Sequence, residues 1–137
     1  MRTKRFKMQI ENANCKFWLM VFENEKKLNA YVERVCKTPT PADVGSACCL
    51  ANKGNRDILV CITANRVSTF IIVHEAFHAA TWYTKLNRRR FTKRKWMNIL
   101  EGWHENEPLE EDLADICGSV ASEIWRLLKK HFVMDAK

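Results

Sequence analysis

The sequence predicts an α+β fold, with one short mixed sheet packed on a central helix and a C-terminal helix, in a single domain covering residues 1–137. Two runs, FKMQIE and CKFWLMVF, have strand length and flank the turn-forming ENAN. A third, DILVCITA, is rich in branched residues, which suit a pleated and half-buried surface. Longer segments instead repeat apolar residues at three- and four-residue steps, the period of a helix.

In chain order, residues 6–11 and 15–22 are expected to pair as a hairpin. EKKLNAYVERVCK (25–37) is expected to be a helix whose Leu28, Tyr31, Val32 and Val35 form one apolar stripe. Thr38, Pro39, Thr40 and Pro41 end it, because a residue before proline avoids the helical region. Residues 42–56 read as a loop with room for a short strand near ACCLA, and residues 57–64 as a strand. A long helix follows from 68 to about 87, with Ser68 or Thr69 as N-cap. It is apolar on nearly every side, which places it centrally. After the basic residues 88–95, residues 96–100 add a helical turn and GWHENEP (102–108) is a connection. Asn106 caps the last helix, about 108–131, and Pro108 suits its first turn. That helix starts acidic (Glu110, Glu111, Asp112) and ends basic (Arg126, Lys129, Lys130), complementing its dipole at both ends.

A chain of 137 residues can build one core, and its 47% hydrophobic content is ordinary for a globular protein. MRTKRFK and CKFWLMVF imitate two parts of a secretory leader, but Lys16 interrupts the apolar run and the charged ENEKK follows it without a small-residue cleavage site. No apolar run approaches the ~20 residues of a membrane span. The expectation is a soluble, cytoplasmic protein. The six cysteines (15, 36, 48, 49, 61 and 117) contain no C-x-x-C pair, which argues against a zinc ribbon, and reduced thiols suit that compartment. Cys48 and Cys49 read as small hydrophobes near a turn, with a redox or metal role as the alternative.

The chemistry concentrates in FIIVHEAFHAATWY (70–83). Burying polar groups without partners is costly, so two histidines and a glutamate in this run need compensation. On a helix, His74 and His78 lie on one face, one turn apart. That spacing lets two imidazoles bind one zinc ion, and Glu75 then stands where it can hold a water. A catalytic zinc takes three protein ligands. A histidine six residues after His78 would indicate a metzincin, but that position is Thr84. The remaining candidates are His104 and the acidic cluster. In EDLADICG (111–118), Glu111 and Asp115 are one turn apart, with Ala114, Gly118 and Ala121 along or near that face. These small residues would let this helix approach the His helix closely. Leu113, Ile116, Val120, Ile124 and Leu127 cover an adjoining face and fill the core. Glu111 can then ligate zinc while Asp115 accepts a hydrogen bond from an imidazole. Glu110 is the rival to Glu111, but only Glu111 has an aspartate four residues on. Glu110, Asp112 and Glu123 read as surface carboxylates.

HEAFH followed by EDLADICG resembles the gluzincin arrangement of thermolysin-type metallopeptidases, over residues 68–88 and 107–125. The chain also resembles small metallopeptidase-like proteins encoded by phages and prophages. The resemblance implies a zincin-like domain and a zinc ion held by His74, His78 and Glu111. It also implies Glu75 as general base in hydrolysis of a peptide bond, with Asp115 orienting a ligand histidine. Tyr83, His104 and His131 are candidates to steady the oxyanion. Tyr83 reads as packing, and His104 is preferred because it lies in a polar loop just before the Glu helix. Trp103 beside it would line a pocket. By analogy with zincins, DILVCITA would offer its edge to an extended peptide substrate.

Residues 85–95 carry seven cations: Lys85, Arg88, Arg89, Arg90, Lys93, Arg94 and Lys95. Such a run attracts phosphate or an acidic protein, or else simply solvates a connection. This gives a second reading, a nucleic-acid-associated or host-partner-binding protein whose metal site is structural or inactive. Phe91 and Trp96 would then supply stacking rings. Glu75 argues against it, since a closed site has no need of a base. Nothing in the sequence specifies an oligomeric state.

Overall fold

A computed structural model describes residues 2–11, 13–36, 46–52, 54–86 and 107–132, without the side chains of residues 107–111. Four strands, β1 (Lys4–Met8), β2 (Lys16–Phe22), β3 (Ala47–Asn52) and β4 (Asp57–Thr63), form one sheet in the order β1-β2-β4-β3. Three helices accompany it: α1 (Glu25–Cys36), α2 (Thr69–Leu86) and α3 (Glu107–His131). The α+β class holds, and the sheet is mixed. β1 pairs antiparallel with β2, β3 antiparallel with β4, and β2 lies parallel to β4. A parallel pair needs a crossover between its strands, and α1 lies within it.

β2 is apolar at almost every position because both faces of the sheet are covered. Phe17, Leu19 and Val21 point one way with Ile58, Val60 and Ile62 of β4, into a core shared with α2 and α3. Met20, Phe22 and Cys61 point the other way, against Leu28 and Val32 of α1. Fully burying one such aliphatic side chain contributes about 1.5–3 kcal/mol. The α1 stripe is therefore real, although Val35 at its end is exposed. Side-chain caps hold two helix starts. Asn24 Oδ1 accepts the Lys27 N–H (2.9 Å), and Ser68 Oγ accepts the Ile71 N–H (3.1 Å).

Three expectations need correction. β1 spans 4–8 rather than 6–11, because its register runs from Lys4↔Val21 to Met8↔Phe17. Gln9 then leaves the sheet and gives its N–H to Glu123 of α3 (2.8 Å). Residues 47–52 are a full edge strand, β3, rather than mainly loop. Its partner β4 therefore has a neighbour on each side, so DILVCITA has no free edge for a peptide. Among the described residues the free edges belong to β1 and β3.

The turn from β3 to β4 is tied by Asn52 Oδ1, which accepts the N–H groups of Gly54 (2.8 Å) and Asn55 (3.3 Å). Arg56 takes a left-handed conformation there (φ 61°), uncommon outside glycine. Its Nη2 donates to the Leu86 carbonyl (3.4 Å), satisfying the end of α2 and complementing the dipole. Residues 87–106, with the basic run 88–95, the 96–100 turn and His104, lie outside the described residues. Among the described residues no helix is long and apolar enough to cross a membrane.

Glu123, read as a surface carboxylate, instead ties α3 to β1. It accepts from Gln9 N and from Arg126 Nε (2.6 Å) and Nη2 (3.0 Å). The Arg126 hydrogen bond, aided by the Gln9 amide, holds its carboxyl below the usual range. A lowered folded pKa stabilises above the unfolded value, and that stability is lost as pH falls through the folded value. Glu123→Gln is therefore expected to flatten the acid side of the stability–pH curve, measured by urea unfolding from about pH 7 downward. Leu28→Ala is expected to cost ~2–5 kcal/mol by leaving a cavity under α1, read as a lower urea midpoint at unchanged slope.

Candidate active site

α2 packs against both the sheet and α3, and its two sides differ sharply. Ile72, Ala76, Ala79, Ala80 and Tyr83 are buried in the main core. The alanines let the helix sit close to its neighbours, while α3 supplies the large residues Ile116, Val120, Ile124, Leu127 and Leu128. The other side of α2 exposes Phe70 (75%), Val73 (49%) and Phe77 (49%). His74 and His78 are exposed on that same side. The helix is central, as expected, but the histidines are not buried. Within the motif the burial penalty falls chiefly on Glu75, which is 4% exposed.

The two imidazoles converge. His74 Nε2 and His78 Nε2 are 3.1 Å apart, with ring centroids 4.7 Å apart at 74°. Two nitrogens ~2.0–2.1 Å from one tetrahedral zinc would stand about 3.3–3.4 Å apart. The pair therefore fits as half of such a site. Partial burial, then the His74 and Lys85 charges, lowers the pKa of His78, which favours the neutral ring that a metal requires. The Phe70 ring lies 5.7 Å from that of His74 and helps shape the rim.

Glu75 points away from solvent. Its Oε2 is buried without a hydrogen-bond partner, and burial pushes its carboxyl up to about 7. Burial first, and then the Glu75 charge, raises the Cys49 thiol on β3, the edge strand that α2 packs across. The site thus joins an exposed pair of nitrogen donors to a sheltered, unpartnered carboxyl group.

The rest of the expected set is not assembled among the described residues. Glu111 lies in the first turns of α3, but its side chain is outside the description. Asp115 is exposed, and among the described residues no hydrogen bond joins it to either imidazole. Ala114 and Gly118 are exposed too, and a Cβ at Gly118 would meet no described atom within 4 Å. Ala114 and Gly118 therefore do not bring α3 close to the His helix, whereas Ala121 does pack against the shared core, facing the small residues Ala76, Ala79 and Ala80 that α2 buries there. Tyr83 is buried near Phe17 (ring centroids 6.1 Å apart), in keeping with packing. His131 stacks on Phe6 of β1 (4.6 Å). Among the described residues no group of three or more His, Cys, Asp or Glu side chains is placed to hold a metal.

Sequence reasoning missed the apolar rim and the influence of Glu75 on the Cys49 thiol. The rim was legible, since positions 70, 73, 74, 77 and 78 share one helix face. The influence of Glu75 on Cys49 depends on how α2 lies across β3, which no local pattern reveals. No protein-family model, curated protein or solved structure matches this chain.

The two-sided character of α2 gives a direct test. Ala76→Leu is expected to overpack the core and cost ~1–3 kcal/mol. Phe77→Ser, on the exposed side, should stay within about 0.5 kcal/mol of wild type. Urea unfolding of the two variants checks this contrast.

Proposed function

We propose that this chain is a zinc-dependent peptidase in which His74 and His78 hold the metal and Glu75 is the general base. The observation that carries the reading is the convergence of the two Nε2 atoms at 3.1 Å, on a helix whose Glu75, next to His74 in sequence, keeps a buried and unpartnered oxygen. Glu111 is the proposed third ligand, from the first turns of α3. Asp115 would act as an orienting carboxylate only if it turns inward from its exposed position. His104 remains the proposed donor to the oxyanion. When bound, zinc supplies Lewis-acid polarisation of a carbonyl and a lowered pKa for water.

The chain's own residues do the rest. Glu75 Oε2 has a free lone pair in a sheltered setting, so it can take a proton from an attacking water and return it to the leaving amine. An extended substrate would pair with the free edge of β3, the strand that α2 packs across, in place of β4. Phe70, Val73 and Phe77 would give it an apolar surface next to the imidazoles. A zincin-like fold is part of this proposal, supported by the His-bearing helix lying across a mixed sheet that ends in an antiparallel edge strand.

The experiment is metal content and peptide cleavage on untagged protein. Wild type and Glu75→Gln should each carry about one zinc, but only wild type should cleave unstructured peptides. His78→Ala and Glu111→Ala should lose most of the metal. Folded wild type that takes up no zinc when zinc is supplied would refute the peptidase reading.

A further inference from the structure

Two of the six cysteines face one another across the sheet. Cys48 of β3 and Cys61 of β4 are Cα partners in the antiparallel register. Ser46 and Thr63, one step beyond Ala47↔Ile62, form a hydrogen-bonded pair, since the Thr63 N–H donates to the Ser46 carbonyl (2.9 Å). Such pairs alternate along an antiparallel ladder, so Cys48 and Cys61, two steps on, form one as well. Their Cα atoms are then about 5.5 Å apart, inside the span of roughly 4.4–6.8 Å that a disulfide bridges. Both side chains enter the cluster that α1 covers through Leu28 and Val32. Both are free thiols, and a hydrogen bond joins them.

The two sulfurs differ in access. Cys61 has no exposed surface. Cys48 is half-buried on an edge strand, and among the described residues no strand covers its outer side. A reagent from solvent therefore meets Cys48 first. The hydrogen bond from Cys48, and then burial, raise the Cys61 thiol far above the ordinary cysteine range. The thiolate is the nucleophile, so Cys61 is the poorer group to begin a reaction. Cys49 cannot take either part. Successive side chains of a strand point to opposite faces, and Cys49 packs against the main core on the other side of the sheet.

A thiol that solvent reaches, beside a second thiol reached through the first, is the arrangement of a redox-reactive pair. We propose that Cys48 and Cys61 form a peroxide-reactive dithiol, with Cys48 as the attacking sulfur and Cys61 as the resolving one. The Cys48 thiolate attacks one oxygen of hydrogen peroxide and the O–O bond breaks. Cys48 becomes a sulfenic acid, and the other oxygen leaves as water with the proton that the thiol gave up. The Cys61 sulfur then attacks the Cys48 sulfur and the S–O bond breaks. That hydroxyl leaves as water with the Cys61 proton. Two thiols are thereby oxidised to one disulfide, and the peroxide is reduced to two waters. An external thiol reverses the bridge by exchange. The pair uses no residue of the proposed zinc site, so it stands whether or not the protein is a peptidase.

Thiol mapping of the full chain tests this. Folded protein is treated with a small excess of hydrogen peroxide, alkylated under denaturing conditions and cut with trypsin without reduction. Cys48 then falls in peptide 38–53 and Cys61 in peptide 57–66. Wild type should give these two peptides joined, and dithiothreitol should separate them. Cys48→Ser should abolish the bridge, whereas Cys49→Ser should leave it unchanged. Cys61→Ala should stop at the first step, with a sulfenic acid at Cys48 that dimedone traps. Cys48→Ser, at a half-buried edge position, keeps the test readable if Cys61→Ala fails to fold. Folded wild type that keeps both thiols under peroxide would overturn the proposal. So would a bridge made through Cys49 or Cys36, or one that forms only once urea has unfolded the chain.

Discussion

The close seating of α2 against the sheet and α3 is the constraint on which the rest depends. Ala76, Ala79 and Ala80 line the buried side with Ile72 and Tyr83, so the helix can approach both neighbours. A helix has a fixed turn, so this choice determines everything else on it. Once the alanines face inward, His74 and His78 must face outward with Phe70, Val73 and Phe77. Glu75 lies between the two sides and is buried.

That geometry separates two requirements of a hydrolytic site. The nitrogen donors converge on the exposed side of α2. The carboxyl is withdrawn from water, which disfavours its charged form and leaves an oxygen unpartnered. The sheet makes a similar division. One face is filled by the core beneath α2 and α3. The other packs in part against α1.

Much of this was legible in the sequence. The β1–β2 hairpin, α1, β4, α2 and α3 follow from period and punctuation. Pro39 and Pro41 mark the end of the α1 segment, and Ser68 caps α2 through its hydroxyl. The H-E-x-x-H spacing placed both imidazoles on one face, and the structure brings their Nε2 atoms together. The edge strand β3 was underread because ACCLAN has small residues and little β signal, so only its pairing with β4 reveals it. The burial of the histidines was misread because an apolar sequence shows no preferred inner face. Phe70, Val73 and Phe77 look like core residues until the alanines are seen to fill that role. Glu123 was underread for a related reason, since its partner Gln9 is remote in sequence and meets it only after folding.

The central claim is that the His74–His78 pair is the metal-binding half of a catalytic site. X-ray absorption at the zinc edge, on untagged protein loaded with zinc, tests it most directly. The expected spectrum shows two imidazole ligands with oxygen completing the shell, all at ~2.0–2.2 Å. His78→Ala should remove the imidazole scattering. A shell dominated by sulfur at ~2.3 Å would place the metal on cysteines and contradict the account.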